Sequence, residues 1–126
     1  LQLNGGGGVL FNNALTLDSI RGIGQAHRQD GTTGFLPTLI TDSFDVMEQA
    51  IAAVAQAIEQ SVPGVLGIHL EGPFLNEEKK GTHNAENFSL IDDRGFDIIT
   101  GLSCGKTLIT LAPELTTAEM IQRISA

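Results

Sequence analysis

Apolar and polar residues alternate over Leu1-Gln2-Leu3-Asn4 and then give way to Gly5 through Gly8, which predicts a short strand running into a flexible loop. From Thr16 to Gln29, Leu17, Ile20 and Ile23 recur near helical spacing behind Thr16 as N-cap. Gly22 and Gly24 weaken that helix by about 1 kcal/mol each relative to alanine. Phe35 to Ile40 is a second short apolar run. Pro37 inside it predicts either a strand end or an unpaired ladder position, because proline has no amide hydrogen to donate. The clearest helix follows. Ser43 caps it, Asp45 and Glu48 stand near its start, and Phe44, Met47, Ile51, Val54 and Ile58 line one side until Pro63-Gly64. Val65 to Leu70 predicts a third, buried strand. Leu66, Ile68 and Leu70 should face the flanking helices, leaving Val65, Gly67, His69 and Glu71 on the opposite face.

A polar loop is expected from Glu71 to about Asn87. Phe88 to Gly105 is ambiguous, with a short helix around Ser89 to Ile99 interrupted by Gly95. Thr107 to Ala112 predicts a fourth strand, Pro113 stops it, and Thr116 with Glu119 makes a capping box for a last helix. Strands and helices therefore alternate, which predicts an α/β fold with a parallel sheet flanked by helices. The 126 residues, 41% hydrophobic and 17% charged, suit one small domain or a piece of a larger one. A net charge of -8 with only seven Lys and Arg argues against nucleic-acid and anionic-membrane partners. No apolar run reaches the roughly 18 residues of a membrane helix. Cys104 is the single cysteine, which excludes an internal disulfide and fits a reducing compartment, so a cytoplasmic protein is expected. Leu1 opens the chain within what already reads as a strand, as a segment cut from a longer protein would.

In parallel sheets, functional groups gather at the C-terminal ends of strands and in the loops that follow. Three places put polar residues there: Gln2 and Asn4, His69 and Glu71, and Glu114. A carboxylate at the position of Glu71 is costly to desolvate unless a cation or strong donors receive it. Zinc bound by imidazole and carboxylate, with a water, is one solution. Hydrogen bonds from the amides of the Gly72-Pro73 turn are the other. His83, beyond Glu77-Glu78-Lys79-Lys80-Gly81, is either a site residue or a solvent-exposed loop histidine. His27 should be an interfacial side chain and Cys104 a plain loop thiol.

Five segments bear a further relation. Leu1-Gln2-Leu3-Asn4-Gly5, Phe35-Leu36-Pro37-Thr38-Leu39-Ile40-Thr41, His69-Leu70-Glu71-Gly72-Pro73-Phe74-Leu75-Asn76, Lys79-Lys80-Gly81-Thr82-His83-Asn84 and Thr110-Leu111-Ala112-Pro113-Glu114 closely resemble the N-acetylglucosamine-6-phosphate deacetylase family of the amidohydrolase superfamily, in family order and spacing. The resemblance implies a (β/α)8 TIM barrel, with residues 1–126 as about its first four β/α units. It implies hydrolysis of the acetamide of N-acetylglucosamine 6-phosphate to glucosamine 6-phosphate and acetate. By the same resemblance Glu71 is a ligand of a divalent metal, zinc first, with iron, cobalt or manganese as alternatives. His83 is the catalytic donor to the scissile carbonyl oxygen. Gln2 and Asn4, with His83, lie on the substrate side. They match a Q-x-N that replaces the H-x-H metal pair of many superfamily members, and amides bind zinc poorly, so a single-metal site is implied. The expected assembly of the full-length enzyme is a homodimer.

Length is the departure. Two further metal-binding histidines, a catalytic aspartate, most phosphate contacts and a small β-domain of the family have no counterpart in the 126 residues. Four strands cannot close with the tilt and shear of an eight-stranded barrel. A truncated gene model, a piece of a longer chain or a self-associating fragment is therefore expected, and the segment alone should be inactive. Two other readings compete with the leading one: an inert α/β module bound to itself or to a partner, and a deacetylase for another phosphorylated N-acetyl sugar such as the galactosamine epimer.

Overall fold

The structure is a computed structural model describing residues 1–126. Its framework is a four-stranded parallel sheet in the spatial order β1-β4-β5-β6, built from β1 (Gln2–Leu3), β4 (Leu36–Ile40), β5 (Gly67–Glu71) and β6 (Lys106–Thr110). A hairpin of β2 (Gly5–Gly6) and β3 (Val9–Leu10) sits between β1 and the first helix. The helices are α1 (Leu17–Arg28), α2 (Phe44–Glu59), α3 (Asp93–Ile99) and α4 (Ala118–Ser125). None is long and apolar enough to cross a membrane. The α/β alternation and the parallel sheet agree with the periodicity of the sequence.

Local chemistry explains the helix starts. Thr16, Ser43 and Asp92 each accept a hydrogen bond from the amide three residues on, at Ser19, Val46 and Gly95. Such caps satisfy one of the donors a helix leaves free and are worth about 1 kcal/mol each. Gly95 therefore receives the cap of α3, which begins at Asp93 and not near Ser89. At α4 the cap is Thr117, which accepts from Met120, and not the Thr116 of the expected capping box. The 3-10 turn at Pro113–Leu115 leaves Thr116 extended, so the helix starts one residue later.

Two expectations for the first half also change. Gly5 to Gly8 form a hairpin and not a flexible loop, because Gly7 and Gly8 adopt φ of +59° and +82°. Two successive left-handed residues make the tight turn that matches the twist of paired strands. Leu66 does not face the helices. It lies before β5, against Gly34, and is 54% exposed, whereas Ile68 and Leu70 are fully buried.

Pro37 stands inside the central strand β4, in register with Leu3. The flanking residues show why this is tolerated. Phe35 N–H donates to Gly64 O on the β5 side and Leu36 N–H to Leu1 O on the β1 side. Alternation turns the Pro37 nitrogen toward β5, where Leu66 O already accepts from Lys106 N–H, so the missing donor leaves no acceptor stranded. On its other edge β1 ends after two residues, and the Asn12 side chain replaces it. Its Oδ1 accepts from Ile40 N–H at 3.0 Å and its Nδ2 donates to Ile40 O at 3.0 Å.

One face of the sheet carries the core. Leu39, Ile68 and Leu70 pack with Ile20, Ile23, Met47 and Val54 of α1 and α2. Full burial of each such side chain contributes about 1.5–3 kcal/mol. Register places Thr38, His69 and Leu108 together on the other face, and Ile40, Glu71 and Thr110 one step nearer the C-terminal edge.

Candidate active site

Two of the sequence candidates meet at that C-terminal edge. Glu71 is the last residue of β5, and its Oε1 lies 3.7 Å from Nε2 of His83, from the loop beyond it. The side chain of His83 is only 13% exposed, so it is no solvated loop histidine; that of Glu71 is 38% exposed. The Gly72-Pro73 turn does not receive the carboxylate. Gly72 N–H donates to Thr110 O, and proline has no amide hydrogen. The other ring nitrogen of His83, Nδ1, is 2.7 Å from the hydroxyl of Thr41, which is buried.

His69 takes a different role from the one its spacing to Glu71 suggested. Nδ1 lies 3.2 Å from Thr38 Oγ1 and Nε2 2.8 Å from Thr110 Oγ1, so both ring nitrogens are engaged across three strands. Burial pushes its pKa below the ordinary imidazole value, against an opposing pull from the Glu71 charge. The ring bridges two hydroxyls, and Glu71 alone of the H-x-E pair has a side chain that makes no hydrogen bond within the segment.

The remaining candidates are dispersed. Gln2 belongs to β1 on the face of Leu36 and Thr38, while Asn4 follows the strand and its backbone carbonyl accepts from Phe11 N–H. Both are exposed, and neither touches the Glu71–His83 pair through a side-chain hydrogen bond. Glu114 accepts a 3.0 Å hydrogen bond from Asn76 Nδ2, tying the loop after β6 to the loop after β5. That amide, followed by a backbone N–H and the charge of Lys79, holds its carboxyl below the ordinary carboxylate range. His27 lies at an interface, donating from Nε2 to Gly5 O at 2.9 Å.

Thr41, Thr38, Thr110 and Asn12 escaped the sequence reading. Thr38, Thr41 and Thr110 lay within segments already singled out, but their roles depend on strand register, which a single sequence does not display.

No protein-family model matches the chain. Among curated relatives it is 49% identical over 125 residues to N-acetylgalactosamine-6-phosphate deacetylase of Shewanella sp. (strain ANA-3), covering 99% of this chain and 32% of that protein. It is 33% identical over 114 residues to N-acetylglucosamine-6-phosphate deacetylase of Haemophilus influenzae, covering 90% of this chain and 30% of that protein. A crystal structure of N-acetylglucosamine-6-phosphate deacetylase from Pasteurella multocida superposes with a TM-score of 0.88 at 34% identity, over 98% of this chain and 34% of that one. The chain thus spans about a third of the length of the curated relatives it matches. Sequence and fold agree that these 126 residues are homologous to about one third of the N-acetylglucosamine/galactosamine-6-phosphate deacetylases.

Proposed function

We propose that this segment forms the first four strand–helix units of a (β/α)8 barrel whose full-length protein hydrolyses the acetamide of a 6-phosphorylated N-acetylhexosamine. The products are acetate and the amino sugar phosphate. The observation that carries this reading is the convergence of Glu71 and His83 at the C-terminal edge of a parallel sheet. That edge is where barrel enzymes of this architecture build their sites.

The donor set fits part of a metal site. Glu71 offers a half-exposed carboxylate that the neighbouring turn leaves free, suited as one oxygen ligand to zinc and equally to iron, cobalt or manganese. No three His, Cys, Asp or Glu side chains of the segment converge, so the other ligands would come from residues outside these 126. A bound divalent ion supplies an activated water and polarises the amide carbonyl. His83 presents Nε2 to the carbonyl oxygen, where negative charge develops as water adds, and Thr41 braces the ring from behind. Gln2 and Asn4, at the end of β1, stand on the substrate side.

The 49% identity to a galactosamine-6-phosphate enzyme, against 33% to a glucosamine-6-phosphate enzyme, favours the galactosamine epimer as substrate. The test is acetate release by the full-length protein from each epimer. Faster turnover of N-acetylgalactosamine 6-phosphate is expected. Preference for the glucosamine epimer reverses the sugar assignment, and release from neither overturns the reading. In E71Q the bound metal should fall sharply by elemental analysis; unchanged metal and turnover remove Glu71 from the ligand set.

A further inference from the structure

We infer that Thr41 is the positioning residue for His83, its hydroxyl holding a proton on Nδ1 and thereby turning the Nε2 edge toward Glu71. This rests on the proposed role of the Glu71–His83 pair. Thr41 directly follows β4, one step beyond the Ile40 that is in register with Glu71. Its Oγ1 makes two contacts, 3.2 Å to the backbone oxygen of Glu71 and 2.7 Å to Nδ1 of His83. A hydroxyl has one proton, and a carbonyl oxygen can only accept. Both contacts are hydrogen bonds at once only if Thr41 O–H donates to Glu71 O and His83 Nδ1–H donates to Thr41. The reverse arrangement, with the hydroxyl donating to Nδ1, abandons the carbonyl.

The backbone reserves space for this hydroxyl. Gly72 has φ of +87°, and a Cβ built there would overlap Thr41 Oγ1. The left-handed conformation and the close approach both call for glycine. Thr41 thus ties a loop histidine to the ends of two adjacent strands, which fixes the ring plane and which nitrogen faces the site. The neutral form with a proton on Nε2 alone is the one excluded. With Nδ1–H given to Thr41, Nε2 serves as the proposed donor when the ring carries a second proton, as a charge-assisted N–H facing Glu71. Partners that orient a metal-ligating histidine are worth about 10- to 100-fold in function, and the same order is expected for this ring.

The experiment uses the full-length protein labelled with 15N-histidine, as wild type, T41V and T41S. In wild type the His83 ring nitrogens should report a proton on Nδ1. T41V should free Nδ1 and populate the neutral Nε2–H form, a weaker donor than the doubly protonated ring, and lose about 10- to 100-fold in kcat with KM nearly unchanged. T41S should restore both the ring signals and kcat. A wild-type ring with a bare Nδ1, or a folded T41V with unaltered ring signals and kcat, overturns the inference. Should T41V fail to fold, the wild-type ring signals alone decide. They are read without substrate, so failure here is distinct from failure of the deacetylase reading, which is judged by acetate release from wild type.

Discussion

At the scale of single residues, two histidines on neighbouring segments sit in opposite settings, and their partners separate them. His69 has both nitrogens committed to Thr38 and Thr110, and burial depresses its pKa against the pull of the Glu71 charge. His83 has one nitrogen against Thr41 and the other facing Glu71. Only a ring with an unclaimed edge can meet a substrate. Removing one preorganised oxyanion donor typically costs about 100- to 1,000-fold in kcat. We therefore expect H83A in the full-length protein to lose kcat on that scale with KM little changed; steady-state kinetics showing a rise in KM alone would refute the donor role. The residue types themselves were readable, since a carboxylate ending a strand and a histidine in the next loop stand out in the sequence. What paired with each ring was not, because Thr38 and Thr110 come within reach of His69 only once three strands are in register.

At the scale of elements, the helices were the most legible parts. α1 and α2 carry apolar stripes at helical spacing, and Thr16 and Ser43 cap them as their types suggest. The Gly5–Gly6 and Val9–Leu10 hairpin was not legible, since a glycine run has no side chains to alternate. Nor was the use of Asn12 as a stand-in strand, a choice made by the shortness of β1. The loops after β5 and β6 are joined by Asn76 and Glu114. In N76A the Glu114 carboxyl should lose its chief stabilising bond, so its pKa should rise toward the ordinary carboxylate value, as an NMR pH titration will show. The sign for folding follows. A depressed folded-state pKa favours the folded form above the unfolded carboxylate pKa, and that advantage is lost as pH falls through the folded value. N76A should therefore flatten this part of the acid-side loss of stability. An unshifted titration would mean the loops are held together by other contacts.

At the scale of the whole molecule, the sheet has two open edges, at β1 and β6, and one face covered by helices. The other face carries Leu108 at 40% exposure alongside His69 and Glu71. Since catalytic zinc sites use three protein ligands and a water, and no three candidate side chains converge here, the 126-residue chain supplied with zinc should release no acetate from either sugar phosphate. Measured turnover would show that the segment completes a site by itself or by self-association. By itself, the sequence determined the α/β alternation, the main helices and their first caps, and the residue types at the strand ends, because each depends on neighbours a few positions apart. Only tertiary structure decided that Glu71 faces His83, that Thr41 stands behind that ring, and that His69 is locked between two threonines. Those contacts join residues about 10 to 40 positions apart, and strand register, which a one-residue slip would invert, brings them together.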